Sequence, residues 1–265
     1  LRRHIVEVPD LASLWPYLNL QMLYSKHLGL KGSVERLTAQ GDAKLKEVEG
    51  IVRGVMRRAI EDGWLRARGV YQFFPASSEG NDLVIYDEFG LQEVERFSFP
   101  RQAGPDGLCL ADFARPEGPE RDYVAMFVTT CGEGVRARST ELKERGEYVL
   151  SHTLQSLAIE TAEALAEKLH QDLREHWGIA DPPAMTMAER LKARYQGIRV
   201  SFGYPACPNL ADQEKLWKLL KPDEIGVKLT DGYMMDPEAS VSALVFHHSQ
   251  ARYFNVEAPS PEPVN

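Results

Sequence analysis

The sequence predicts an α+β fold built on an antiparallel sheet. Two long helical patterns lie outside a succession of short β-rich runs and do not alternate with them one for one. The first helix is read from Val34 to Trp64. There Leu37, Leu45, Val48, Ile51, Val52, Val55, Met56 and Ile60 recur mostly at three- and four-residue steps, and Gly63 supplies a stop. The second is read from Glu147 to Trp177, with Leu150, Leu154, Leu157, Thr161, Leu165 and Leu169 on one face. Gly178 and the Pro182-Pro183 pair end it. Apolar stripes of this kind mark faces turned to a core.

Between the helices the pattern changes. Val70 to Phe74 and Leu83 to Tyr86 read as a hairpin-like pair, joined by a polar loop from Pro75 to Asp82. Tyr123 to Thr130 is a further strand, ended by a turn at Cys131-Gly132-Glu133-Gly134. Val227 to Leu229 and Ser242 to Phe246 are later candidates. No internal repeat divides the chain, so residues 1–256 are read as one domain. The Pro-rich stretch 257–265 is expected to be a disordered tail.

Composition narrows the function. At 265 residues, 43% of them hydrophobic and 26% charged, the chain can bury a large core. A net charge of -8 argues against general nucleic-acid binding, which needs a basic surface to displace counterions. No apolar run reaches the ~20 residues of a membrane span. Cys109, Cys131 and Cys207 are odd in number and widely spaced, which points to neither a zinc site nor a disulfide framework. A reducing, cytoplasmic location is the simplest reading. The chain starts Leu1-Arg2-Arg3, not with Met, which suggests an excised piece of a longer protein, although processing could produce the same start.

The most informative stretch is Arg199 to Pro208. The run Gly203-Tyr204-Pro205-Ala206-Cys207-Pro208 cannot sit inside a helix or a central strand, because each proline lacks a backbone donor. It is read as a rigid extended segment bringing a guanidinium, a phenol and a thiol close together. A nucleophilic Cys207 with His247 or His248 as base can be written on paper, but no orienting partner is visible, and a thiol between prolines can equally be packed. Neither a Walker-type loop nor a dinucleotide fingerprint occurs.

This run, with matches before and after it, resembles the C-terminal activation domain of cobalamin-dependent methionine synthase. Trp15-Pro16-Tyr17-Leu18-Asn19, Phe73-Phe74-Pro75-Ala76, Leu108 to Phe113, Glu160 to His170, Tyr195 to Arg199, Leu229-Thr230, Ala239-Ser240-Val241-Ser242 and Tyr253-Phe254 follow in the family's order. The resemblance implies a C-shaped α+β domain that binds S-adenosylmethionine in a shallow groove. It implies that the methyl group goes to inactive cob(II)alamin, restoring methylcobalamin by reductive methylation within a methyltransferase of methionine biosynthesis. The cobalamin would be held by a neighbouring cobalamin-binding domain, and a flavodoxin-like donor would supply the electron.

The same resemblance implies a binding set of Asn19, Glu163, Arg199, Val200, Tyr204, Tyr253 and Phe254. Arg199 would take the methionyl carboxylate, a charge-assisted pair worth about 1.5–3 kcal/mol. Tyr253 would add its hydroxyl to that carboxylate, beside the Phe254 backbone. Tyr204 would stand near the corrin as the candidate catalytic residue, and Pro205 and Pro208 would stiffen the segment for main-chain contacts to adenine. Arg53, Arg57, Arg58, Arg66 and Arg68 form a basic cluster able to receive an acidic flavodoxin, or simply a solvated face.

Two departures stand out. Asn19 replaces the family's Asp, keeping an acceptor for the ligand's ammonium but losing its charge. Leu210 replaces a His that helps hold the axial histidine displaced from cobalt. A free-standing reactivation protein for another corrinoid methyltransferase and a non-catalytic binding module are the alternative functions.

Overall fold

A twelve-residue strand organises the computed structural model, which describes residues 1–256. The elements run β1 (His4–Glu7), α1 (Val34–Gln40), α2 (Ala43–Glu61), β2 (Arg68–Glu79), β3 (Asp82–Tyr86), β4 (Glu93–Ser98) and β5 (Asp122–Thr130). They continue as α3 (Val135–Glu144), α4 (Tyr148–His176), α5 (Met187–Arg190), β6 (Ile198–Val200), α6 (Gln213–Leu220), β7 (Lys228–Leu229), β8 (Met235–Asp236) and β9 (Ser240–Phe246). The fold is α+β, as the sequence predicts. Among the described residues, seven strands form one antiparallel sheet in the order β4-β3-β2-β5-β9-β6, with β1 also on β2.

The length of β2 explains this topology. β5 spans one side of it from Arg68 to Ala76, while β1 takes Arg68 to Tyr71 on the other side and β3 takes Ala76 to Glu79. Pro75 falls between those two partners, where the missing N–H costs no ladder bond. The polar loop expected from Pro75 to Asp82 is therefore mostly strand, and the turn shrinks to Gly80-Asn81.

Both faces of the sheet are covered. Ala125 and Phe127 of β5 and Val241, Ala243 and Val245 of β9 pack toward α2, α3 and α4. The alternate residues Val124, Met126, Val128, Leu244 and Phe246 pack toward α6 and the turns beside it. That is the period of two of a strand, with apolar side chains required on both faces, so β9 is buried along its whole length. Each fully buried Leu or Phe contributes roughly 1.5–3 kcal/mol before entropy is counted. Thr129 of β5 donates its hydroxyl to Ala162 O at 3.1 Å, which pins the middle of α4 to the sheet.

The helix expected over 34–64 breaks in two. Gly41 adopts a left-handed conformation at φ 65° and closes α1, and the Asp42 side chain accepts from Leu45 N–H to start α2. The second helix matches its expected span. The expected arginine cluster is partly neutralised. Arg68 lies 3.6 Å from Glu7 and 3.4 Å from Glu133, Arg53 pairs with Glu49 at 3.5 Å, and Arg58 stacks over Trp64 at 5.2 Å. The Pro-rich tail expected from residue 257 lies outside the described residues. No helix among the described residues is long and apolar enough to cross a membrane.

Candidate functional site

Among the described residues, strand β6 forms one end of the sheet and pairs only with β9, which leaves its outer edge open there. Gly197 makes this possible. It sits at φ 86°, and a Cβ there would lie 2.5 Å from Phe246 O, so only glycine lets the chain enter the pairing this closely. Ile198 and Val200 are buried, while Arg199 between them carries its side chain to the wall of a cavity.

After β6 the backbone reverses tightly. Gly203 N–H donates to Cys207 O and Cys207 N–H to Tyr204 O, each at 2.8 Å, with Gly203 at φ 90°. The segment from Gly203 to Cys207 is thus a closed turn, not the extended run expected. The turn leaves Tyr204 63% exposed at its tip and buries Cys207 beneath it. Burial and the nearby Asp212 push the Cys207 thiol up to about 12. His247 bonds Asp122 at 2.8 Å and His248 stacks on Phe113, so Cys207 is a packed residue and no nucleophile–base pair forms. Leu210 also packs here: its Cδ2 lies 3.1 Å from where a Cβ on Gly203 would stand.

The C-terminal segment closes the third side. Phe254 meets Phe113 edge to face, with ring centroids 6.1 Å apart. The Tyr253 hydroxyl donates to Arg199 O at 3.0 Å. Glu163 approaches from α4. Together they enclose a cavity of about 510 Å³ lined by Glu163, Arg199, Val200, Tyr204, Tyr253 and Phe254. Those are six of the seven residues in the expected binding set. Asn19 does not line it; its side chain accepts from Met22 N–H at 3.1 Å and starts the following turn. The expected hydroxyl contact of Tyr253 is also altered, because its proton is committed to the backbone of β6. Leu110, Ser201, Val241 and Arg252 also line it, outside the expected binding set.

Behind Arg199 lies a buried polar wall. Its Nη1 donates to Glu167 Oε2 at 2.7 Å, to the Tyr195 hydroxyl at 3.2 Å and to His170 Nδ1 at 3.4 Å. Arginine can only donate, so His170 accepts at Nδ1 and carries its proton on Nε2. Burial, then Arg199 and Arg174, hold the His170 pKa well below the usual histidine range, which agrees with that neutral form. Burial opposes the charge on Arg199, but Glu167 and Tyr195 outweigh it and the guanidinium stays protonated. The Glu163 pKa is raised by burial, lowered by Arg199 and raised again by Glu167. Tyr195 is itself fixed, with the Arg174 guanidinium 3.7 Å over its ring and Arg174 held by both oxygens of Asp181 at 2.7 Å. Glu167 was missed in the sequence, although Glu163 and Glu167 stand four residues apart on one helix face.

The cavity thus has an acidic and a basic side chain in its lining, apolar and aromatic surface beside them, and an open strand edge. An amphoteric ligand with a flat apolar part is the kind that such a site accommodates. Comparison with known proteins points the same way. Residues 10–264 match the family described as vitamin B12 dependent methionine synthase, activation domain. Methionine synthase of Mycobacterium tuberculosis (strain ATCC 25618 / H37Rv) is 37% identical over 228 residues, covering 80% of this chain and 19% of that protein. The enzyme of Mycobacterium leprae (strain TN) is 36% identical over 202 residues, covering 71% and 17%. The chain spans about a fifth of the length of these relatives. The crystal structure of the MetH reactivation domain bound to AdoHcy superposes with a TM-score of 0.89 at 29% identity, covering 96% of this chain and 81% of that one.

Proposed function

Because the chain belongs to the family of vitamin B12 dependent methionine synthase activation domains, we propose that its cavity binds S-adenosylmethionine and presents the methyl group for reactivation of the parent enzyme. The observation that carries this reading is the convergence of Glu163, Arg199, Val200, Tyr204, Tyr253 and Phe254 on one cavity of about 510 Å³. That volume lies within the usual range for small-molecule sites.

Arg199 holds the ligand's carboxylate through Nε and Nη2, which make no hydrogen bond to the described protein, while Nη1 is tied to the wall. Glu163 supplies the anion for the ligand's ammonium. Its pKa is raised, chiefly by burial, and an incoming cation favours the ionised form. The Tyr253 oxygen, having given its proton to Arg199 O, faces the ligand as an acceptor. That suits the ammonium better than the carboxylate. The adenine lies along the open edge of β6 and the Tyr204-Pro205 turn, beside Phe254.

A cobalamin held by a neighbouring domain of the parent protein would be the methyl acceptor, and a flavodoxin-like donor would supply the electron that reductive methylation requires. This chain's part is to hold the ligand with its sulfonium toward that domain. Tyr204, exposed at the rim of the cavity, stands where a docking domain meets it. The setting is the cytoplasm, where the free and buried Cys109, Cys131 and Cys207 stay reduced.

Calorimetric titration of the purified chain with S-adenosylmethionine tests the reading. One saturable site is expected; no heat of binding, with the fold intact by circular dichroism, overturns it.

A further inference from the structure

We propose that Glu167 is a positioning residue for the ligand, acting through Arg199 without touching the ligand itself. The inference rests on the reading that the cavity takes the amino-acid end of S-adenosylmethionine. Glu167 does not line the cavity, and its side chain is only 5% exposed. It is the one carboxylate hydrogen-bonded to Arg199 among the described residues, at 2.7 Å.

The geometry fixes more than a charge. Glu167, Tyr195 and His170 all converge on Nη1, leaving Nε and Nη2 uncommitted. The guanidinium is planar, with its five donors in one fork. The two protons of Nη1 are shared among three acceptors from two segments, with Glu167 the nearest at 2.7 Å, and this fixes the direction of the remaining edge. The partners are themselves held. His170 is one turn along α4 from Glu167, and Tyr195 is clamped between the Arg174 guanidinium at 3.7 Å and the edge of His170 at 5.0 Å.

The buried groups around the pair are paired incompletely. Glu167 Oε1 and His170 Nε2 are both buried and make no hydrogen bond within the protein. Of these two side chains, Oε2 and Nδ1 are the atoms that reach Arg199. The same carboxylate also balances the Arg199 charge before the ligand arrives, so an empty cavity does not hold an uncompensated buried cation.

The test uses two ligands and a spectroscopic readout. S-adenosylhomocysteine carries the amino-acid end; 5′-methylthioadenosine keeps the nucleoside and thioether but lacks it. Glu167→Ala is expected to weaken S-adenosylhomocysteine about tenfold and to leave methylthioadenosine within about twofold. Glu167→Gln, which keeps an acceptor oxygen of the same shape, is expected within about threefold of the parent chain. In nitrogen-15 spectra, the Arg199 Nη protons should be separately resolved in the parent and in Glu167→Gln, and averaged by rotation in Glu167→Ala. Should the alanine variant fail to fold, Glu167→Met keeps the volume without the acceptor. Equal loss for both ligands, or Arg199 signals unchanged by removal of the acceptor, overturns the proposal. A parent chain that binds neither ligand overturns the proposed function instead, and the Arg199 signals then decide by themselves whether Glu167 holds the guanidinium.

Discussion

The Tyr253 hydroxyl donates to the backbone carbonyl of Arg199 at 3.0 Å, so the C-terminal segment is tied to the main chain of the strand that carries the cavity's guanidinium. The bond caps a carbonyl on an otherwise open edge. It also makes the phenol a structural strap first and a ligand contact second. Tyr253→Phe is expected to cost about 0.5–1.5 kcal/mol of stability, the net worth of a neutral hydrogen bond. It should also weaken S-adenosylmethionine less than truncation of Arg199. Urea unfolding and calorimetric titration of the same samples measure both. An affinity loss larger than that of Arg199→Ala would show that the hydroxyl has a direct role beyond the strap.

Arg199→Ala is expected to weaken S-adenosylmethionine by about 1.5–3 kcal/mol, the range for one charge-assisted hydrogen-bonded contact. It also strands Glu167, which is buried beside it, so thermal stability should fall as well. Arg199→Lys separates the two effects. It keeps a cation near Glu167 but loses the planar fork, so stability should recover more than affinity does. Equal affinity in all three chains would remove Arg199 from the site.

Much of this site was legible in the sequence, and what was missed has physical reasons. Tyr204 stood between Gly203 and Pro205 and Arg199 two residues after Gly197, in the run that carries the family resemblance, whereas Tyr253 was read from that resemblance alone; all three line the cavity. Glu167 stood in an otherwise ordinary helix, where a charge one turn from Glu163 reads as solvated surface until the sheet is known to cover it. The turn at Gly203 was misread because proline excludes helix and strand interior but does not choose between an extended run and a reversal; the two bonds between residues 203, 204 and 207 choose. The break at Gly41 was hidden by leucines that keep helical spacing across it, and the decisive left-handed φ is not written in periodicity. Strand β4 was missed because Glu93, Glu95 and Arg96 are charged. It lies at the sheet's edge, where Arg96 bonds Glu79 and Glu93.

Stability should depend on pH through Glu160. The residue is buried on α4 one turn before Glu163, with His27 Nε2 2.9 Å from its Oε1. Burial, then the Glu163 charge, raise its pKa from 4.5 to about 7. Burial, then His152 and Lys26, lower that of His27. Both shifts work against the ionised form of the pair. A carboxyl whose pKa is higher in the folded chain holds an extra proton there, so its contribution is complete below about 4.5 and is lost as pH rises through about 7. Glu160→Gln keeps the hydrogen bond and cannot ionise. The parent should thus lose stability relative to Glu160→Gln between pH 5 and pH 8, by an amount on the order of 3 kcal/mol. Parallel melting-temperature curves across that interval would refute the raised pKa of Glu160.

Gly197 offers the sharpest link between backbone and ligand. It precedes Ile198 and Arg199, and its φ of 86° is one that residues with a Cβ rarely adopt. A Cβ there would also stand 2.5 Å from Phe246 O, inside the antiparallel pairing of Ile198 with Phe246 that anchors β6 to the sheet. Gly197→Ala must therefore either strain the backbone or push β6 outward, and a carbonyl in a buried ladder cannot give way as a flexible side chain would. Gly146 is the control: its φ is 77°, but nothing lies within 4 Å of a Cβ built on it, and it sits in the turn between α3 and α4. Gly146→Ala should cost only the strain of a left-handed residue, about 1–3 kcal/mol, and leave ligand affinity unchanged. Gly197→Ala should cost more than that and should weaken S-adenosylmethionine, because any shift of β6 moves Arg199 away from the Glu167 wall. Urea unfolding and titration of both variants side by side distinguish the two costs. A Gly197→Ala chain that binds as tightly as the parent would mean that the seating of β6 does not set the position of Arg199.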